Sequence, residues 1–113
     1  MTNSIRTYKR GDIWIADVLY RDDTSQSKKR PVVVLSMNNL DEDILIAPVT
    51  SSDVRNEWDI TLNLWNEEGL VFPSNVRTSK LSSIYQGRLK RRIGNLKDED
   101  LQAVLVACRS LFD

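Results

Sequence analysis

Histidine is absent from this chain and cysteine occurs once. The first absence removes Ser-His-Asp and Cys-His triads, histidine zinc sites and the two-histidine acid–base chemistry of many nucleases. With one thiol besides, the usual ligands of a transition metal are missing, so neither a metal nor another cofactor is expected. That thiol, Cys108, has no partner for an internal disulfide, which points to a reducing cytoplasm. Long apolar runs are missing too. The longest, residues 31–35 and 44–49, are strand-sized, whereas a membrane span takes about 20 residues. The first ten residues lack the apolar stretch of an export signal, so a cytoplasmic protein without membrane contact is expected. Any catalysis must run on Arg, Lys, Asp, Glu, Ser, Thr or Tyr.

What remains is an ordinary globular composition. A chain of 113 residues is expected to form one domain over residues 1–113. It is long enough to bury roughly two-thirds of its unfolded surface without a staple. Formal charge is zero, but it is unevenly spread. Residues 69–97 hold seven basic side chains (Arg77, Lys80, Arg88, Lys90, Arg91, Arg92, Lys97) and no acid, while residues 41–59 hold six acids against Arg55. Such a basic stretch forms either a phosphate-attracting surface or a solvated strand face.

Periodicity gives the elements. Residues 12–20, rich in Ile, Trp, Val and Tyr after the turn at Arg10-Gly11, read as a strand. Residues 21–29 are wholly polar and read as an exposed loop. The run Arg30-Pro31-Val32-Val33-Val34-Leu35-Ser36 reads as a strand buried on both faces, with Pro31 near its start. A turn at Asn38-Asn39-Leu40-Asp41 leads to a third strand over residues 44–50, paired with the second as a hairpin. Trp58, Ile60, Leu62 and Leu64 alternate with polar residues as in a half-buried strand that ends at Glu67-Glu68-Gly69. Extended pieces follow at 74–77, 83–85 and 89–93. The spacing of Leu101, Val104, Leu105, Cys108, Leu111 and Phe112 predicts an amphipathic helix, with Asp98, Glu99 and Asp100 favoured by the dipole in its first turn. Cys108 on that stripe reads as packed core rather than a nucleophile. Short strands closed by one helix give an α+β, mainly β class: a small curled barrel with a C-terminal amphipathic helix.

Two polar residues mark the hairpin. Arg30 opens the apolar strand after Lys28 and Lys29, and Thr50 closes the next one, followed by Ser51 and Ser52. In an antiparallel hairpin the start of one strand lies beside the end of its partner, so Arg30 and Thr50 can be neighbours. A guanidinium beside hydroxyls makes a phosphate cradle, because its planar fork donates two hydrogen bonds. The alternative is a surface ion pair and a threonine that merely ends a strand; spacing alone leaves both open.

The segments Lys9-Arg10-Gly11-Asp12-Ile13-Trp14, Lys29-Arg30-Pro31-Val32-Val33-Val34-Leu35-Ser36, Ile46-Ala47-Pro48-Val49-Thr50-Ser51, Ser74-Asn75-Val76-Arg77, and Arg88-Leu89 with Ile93-Gly94-Asn95-Leu96 occur in one order. Together they resemble the MazF/PemK toxin family from about residue 8 to the end. The resemblance implies an SH3-like barrel that dimerises, cuts single-stranded RNA such as mRNA at short motifs, and pairs with a cognate antitoxin. It implies Arg30 and Thr50 as the catalytic pair, with Thr24, Ser25 or Ser51 assisting. Lys28, Lys29, Arg77, Lys80 and Arg88 would then hold the RNA backbone. Residues 21–29 depart from the family pattern in lacking Gly and Glu, and Lys97 stands where a helix-capping Ser is usual.

The mechanism so implied needs no metal. The RNA 2′-hydroxyl attacks its adjacent phosphate, leaving a 2′,3′-cyclic phosphate and a 5′-hydroxyl, and the protein aligns the groups and stabilises charge. The resemblance also gives Arg30 a proton-transfer role. Donation to the leaving 5′-oxygen is easier than abstraction, since a pKa above about 12 leaves the neutral guanidine scarce. Trp14, Trp58, Trp65 and Tyr85 are either stacking platforms for bases or core. Two other readings use the same fold. A non-enzymatic toxin that poisons DNA gyrase typically ends Trp-Gly-Ile, where this sequence reads Leu111-Phe112-Asp113. A degenerate member would bind RNA or antitoxin without cutting.

Overall fold

The computed structural model describes residues 7–19, 27–37 and 42–113. Thr24, Ser25 and the turn expected at residues 38–41 lie outside these. Among the described residues seven strands and one α-helix follow in chain order: β1 (Asp12–Leu19), β2 (Ser27–Val34), β3 (Asp43–Thr50), β4 (Asp59–Thr61), β5 (Asn75–Arg77), β6 (Ser82–Tyr85), β7 (Leu89–Asn95) and α1 (Asp98–Ser110). All pairings are antiparallel, with strand order β4-β5-β3-β2-β1-β7 and β6 beside the start of β3. The sheet curls as expected of a small barrel but does not close: its terminal strands, β4 and β7, do not pair with each other.

β2 shows why the sheet curls. Val32, Val33 and Val34 are all fully buried, although successive side chains leave a strand on opposite faces. Val33 joins Ile13, Ala47, Val49, Val76 and Val104 in the core under α1. Val32 and Val34 join Trp14, Ala16, Ile44, Ile46 and Leu89 in a second core across the sheet. A strand with water on neither face must be wrapped by its own sheet, and β1, β3, β6 and β7 do the wrapping.

Three expectations change. The polar stretch 21–29 is not a loop to its end, because Ser27, Lys28 and Lys29 pair with Leu19, Val18 and Asp17 of β1. Its polarity is tolerated there: Lys28 and Lys29 are exposed, and Lys29 Nζ meets Asp17 Oδ1 at 3.0 Å. The strand expected over Trp58 to Leu64 is cut to Asp59–Thr61, and a 3₁₀ turn, Trp65–Glu68, follows. The cause is Asp100. Its buried carboxylate accepts the Asn63 and Leu64 N–H groups at 3.2 and 3.0 Å, so the chain bends onto the start of α1 instead of continuing along the sheet. The apolar alternation reported contact with the core, not extended backbone. The helix stripe likewise stops short: Leu101, Val104, Leu105 and Cys108 pack on the core, but α1 ends at Ser110 and Phe112 stands 81% exposed.

Lys97 offers no side-chain cap to α1; Glu68 supplies one from the 3₁₀ turn, its Oε2 accepting the Lys97 N–H at 2.7 Å. Gly69 (φ 96°) and Gly94 let this turn lie backbone-to-backbone on β7, where a Cβ at either would strike the carbonyl of Ile93 or Glu68. Glu68 is thus 1% exposed beside an equally buried Asp100. Burial pushes its carboxyl up to about 7; the Lys97 N–H opposes the shift and the Asp100 carboxylate adds to it. The native state therefore holds a proton that the unfolded chain releases at its ordinary 4.5. Stability is highest below 4.5 for this group and is lost as pH rises through about 7. The expected outcome is a urea midpoint that falls across that interval in the native sequence and a flatter profile in Glu68→Gln. Parallel profiles for the two proteins would show that Glu68 does not titrate there.

Candidate active site

The β2–β3 ladder runs Val34–Ile46, Val33–Ala47, Val32–Pro48 and goes no further: the next hydrogen-bonded pair would be Pro31 with Val49, and Pro31 has no N–H to donate. Two residues beyond on each strand stand Arg30 and Thr50. Alternation puts Arg30 on the face of Val32 and Val34, and Thr50 on the face of Ile44 and Ile46, so both sit at the mouth of the second core. β1 sets the fully buried Ala16 opposite Arg30, and its small side chain leaves that end open.

Arg30 and Thr50 together line two adjoining clefts. The larger, about 740 Å³, adds Arg77, Lys80 and the hydroxyls of Ser52, Ser79 and Ser82, and among the described residues no acid lines it. Three cations with hydroxyls and no carboxylate define a site for anions. The smaller, about 280 Å³, lies under the loop of Leu70, Val71 and Phe72, with Ser51 and Ser52 on its floor. Val71 and Phe72 are 79% and 63% exposed, giving that side an apolar wall open to solvent.

Thr50 is oriented for one task. Its Oγ1 accepts the Ser52 N–H at 3.1 Å, so the hydroxyl proton is free to donate toward the cleft. The Arg30 side chain is exposed, and no hydrogen bond or ion pair engages it among the described residues. Arg77 is held from behind: Asp59, 5% exposed, lies 3.8 Å from its Nε. Burial opposes charge on Asp59. The hydrogen bonds and charge of Arg55, with that of Arg77, outweigh it and hold the carboxyl below its usual range. Among the described residues no three Asp, Glu or Cys side chains converge as a metal would require.

The remaining basic residues lie elsewhere. Lys29 is spent on Asp17, whose carboxyl it lowers by hydrogen bond, and Lys90 reaches the same carboxylate at 3.5 Å. Lys28 is exposed next to it along β2, outside both cleft linings. Arg88 is half-buried and donates to the Asp17 carbonyl at 3.4 Å, also outside the linings. Of the aromatics, Trp14 is core, Trp58 donates its indole N–H to Ser110 at 3.1 Å, Tyr85 is exposed on β6, and Trp65 lines a neighbouring pocket. Cys108 packs against the core under α1, and burial pushes its thiol up, away from the reactive thiolate.

Sequence reasoning missed Ser79, Ser82 and Asn75 at the site, and Asp59 and Glu68 behind it. Asn75 was visible only as part of a motif. The two acids carry no local signal, because their burial comes from elements distant in the chain.

Fold and site define a class: a small, curled antiparallel sheet with a capping helix and a cleft lined by cations and hydroxyls at one mouth. Comparisons narrow it. A family model described as PemK-like, MazF-like toxin of type II toxin-antitoxin system matches residues 9–112. Among solved structures, the Mycobacterium tuberculosis toxin MazF-mt6 superposes with a TM-score of 0.72 at 24% identity, covering 90% of this chain and 96% of that one. MazF from Deinococcus radiodurans gives 0.75 at 20%, covering 95% and 97%. A mycobacterial endoribonuclease in complex with its cognate antitoxin gives 0.76 at 13%, covering 91% and 92%. The chain belongs to the PemK-like, MazF-like toxin family of type II toxin–antitoxin systems.

Because Arg30 is exposed and serves no packing role, Arg30→Ala should shift unfolding free energy by less than about 0.5 kcal/mol in urea titration. A loss of about 2 kcal/mol or more would make it a structural residue instead.

Proposed function

We propose that the chain is a metal-independent endoribonuclease toxin that cuts single-stranded RNA, mRNA included, at short sequence motifs. It acts in the cytoplasm as a homodimer and is held in check by a cognate antitoxin. The observation that carries this reading is the pairing of Arg30 with Thr50 at one mouth of the sheet, facing a cleft of cations and hydroxyls. Family membership and the named activity of the mycobacterial endoribonuclease support the same reading. The antitoxin complexes of the mycobacterial and Deinococcus radiodurans proteins support a protein partner.

The geometry suits a reaction in which the substrate carries its own nucleophile. The ribose 2′-hydroxyl gives up its proton to solvent water as its oxygen attacks the adjacent phosphorus, the bond to the 5′-oxygen breaks and that oxygen takes up a proton, and the products are a 2′,3′-cyclic phosphate and a 5′-hydroxyl. Nucleophile and electrophile share one nucleotide, so the protein's work is alignment and charge stabilisation. The Arg30 guanidinium binds the non-bridging oxygens as negative charge grows on them and donates a proton to the departing 5′-oxygen, regaining one from water. Thr50, its lone pair occupied by the Ser52 N–H, donates to a non-bridging oxygen. Arg77 and Lys80 hold the neighbouring phosphates. Ser51 adjoins this pair on the smaller cleft. Thr24 and Ser25 remain assisting hydroxyls proposed from resemblance alone.

Purified protein should cleave a long RNA in excess EDTA, leaving 5′-hydroxyl ends. Arg30→Ala and Thr50→Ala should each lower the rate by at least about 100-fold, the scale of removing one oxyanion donor. Wild-type rates in either variant would refute the site. A substrate with 2′-deoxyribose at the cut position should not react; its cleavage would overturn the 2′-hydroxyl mechanism. Intact RNA together with gyrase-dependent DNA breaks would instead place the chain with the gyrase poisons.

A further inference from the structure

A third pocket, about 370 Å³, opens beside the smaller cleft and shares Ser51, Ser52 and Ser74 with it. Its lining differs in kind. Among the described residues it contains no Arg or Lys and Asp53 is its only charged one, while Trp65, Leu62 and Pro73 supply apolar surface. A phosphate has no reason to enter, whereas a flat, neutral, hydrogen-bonding group does.

At this pocket lies a polar side chain already set in one orientation. Asn75 pairs with Thr50 across the β3–β5 ladder, one strand from the proposed cutting site. It is 4% exposed, and its Nδ2 donates to the Ser52 carbonyl at 2.8 Å. That bond fixes which end of the amide is which. Its Oδ1 is buried and has no hydrogen-bond partner among the described residues. A buried acceptor without a donor is costly, and a fold keeps one rarely unless something arrives to satisfy it.

We propose that this pocket receives one unstacked nucleobase of the RNA and that Asn75 selects a base carrying an exocyclic amino group. The inference rests on the ribonuclease reading and deepens it: the cationic cleft positions the backbone, and this neutral pocket reads sequence. An exocyclic amino group of adenine, cytosine or guanine projects from the ring edge and reaches a recessed acceptor. Uracil's only edge N–H lies between two carbonyl oxygens, and bringing it to Oδ1 forces one of them toward the Ser52 carbonyl. The Trp65 ring provides apolar surface for the base. A pocket built around a buried acceptor rejects the analogue without the donor, because the acceptor is then left unpaired.

The test is the cleavage profile on a random-sequence RNA pool, read from the 5′-hydroxyl ends. The unaltered protein should disfavour uracil at one position beside the cut. Replacing the preferred base there with its analogue lacking the amino group should lower kcat/KM about tenfold, the scale of one neutral hydrogen bond. Asn75→Ala should lose the preference at that position alone and become indifferent to the amino group. An unchanged Asn75→Ala profile, full activity on the analogue, or uracil favoured at that position would overturn the inference while leaving the ribonuclease reading intact. Absence of any cut by the unaltered protein would sink both. The analogue measurement needs no variant, so a misfolded Asn75→Ala leaves the inference open to refutation.

Discussion

The pairing of β2 with β3 is the contact on which the rest of the molecule depends. Three consecutive valines of β2 are sealed from water on both sides, which holds the strand at the centre of a curled sheet between two cores. The ladder stops where Pro31 has no N–H to donate to β3, and beyond that point the backbones carry polar side chains into the opening. Arg30 is therefore presented by one of the most rigid parts of the fold, although its own side chain lies in solvent. Catalytic groups held on buried strands keep their geometry better than groups on loops.

The neutral formal charge of the chain is divided between two jobs. Asp59 and Arg55 form a compact, inward-facing group behind Arg77, and Asp17 draws in Lys29 and Lys90 at the edge of the sheet. Around the cleft stand Arg30 and Lys80, with Arg77 open on the side away from Asp59. Three cations and no acid among the described residues line it, which gives a local positive field without a positive protein.

The loop that walls the smaller cleft is set by a different arrangement. Asp100, in the first turn of α1, takes the N–H groups of Asn63 and Leu64, while Glu68 returns to the Lys97 N–H. The two carboxylates cross between helix and turn and pull the chain away from the sheet just before Leu70, Val71 and Phe72. Buried acids side by side are expensive unless one stays protonated, so this tether is sensitive to pH near neutrality.

Much of this was legible in the residues. The Val32–Val34 run announced a strand buried on both faces, the stripe from Leu101 to Cys108 announced the helix, and hairpin logic put Arg30 near Thr50, because these signals are local and repeat with the period of their own element. Histidine's absence fixed what chemistry was left. Other features had no local signature. Leu62 and Leu64 alternate like a strand yet bend away, since the acceptor that bends them, Asp100, lies more than thirty residues on. Glu68 reads as a surface acid and is fully enclosed, because two glycines distant in sequence allow two backbones to touch. Asn75 reads as a strand residue and becomes a buried, half-satisfied amide only when Ser52 fills one end of it. Sequence by itself determined most of the elements, the central hairpin and the nearness of Arg30 to Thr50. Tertiary structure alone decided which acids are buried, which cations stay free and where a neutral pocket opens, because desolvation and charge pairing depend on distances in space rather than along the chain.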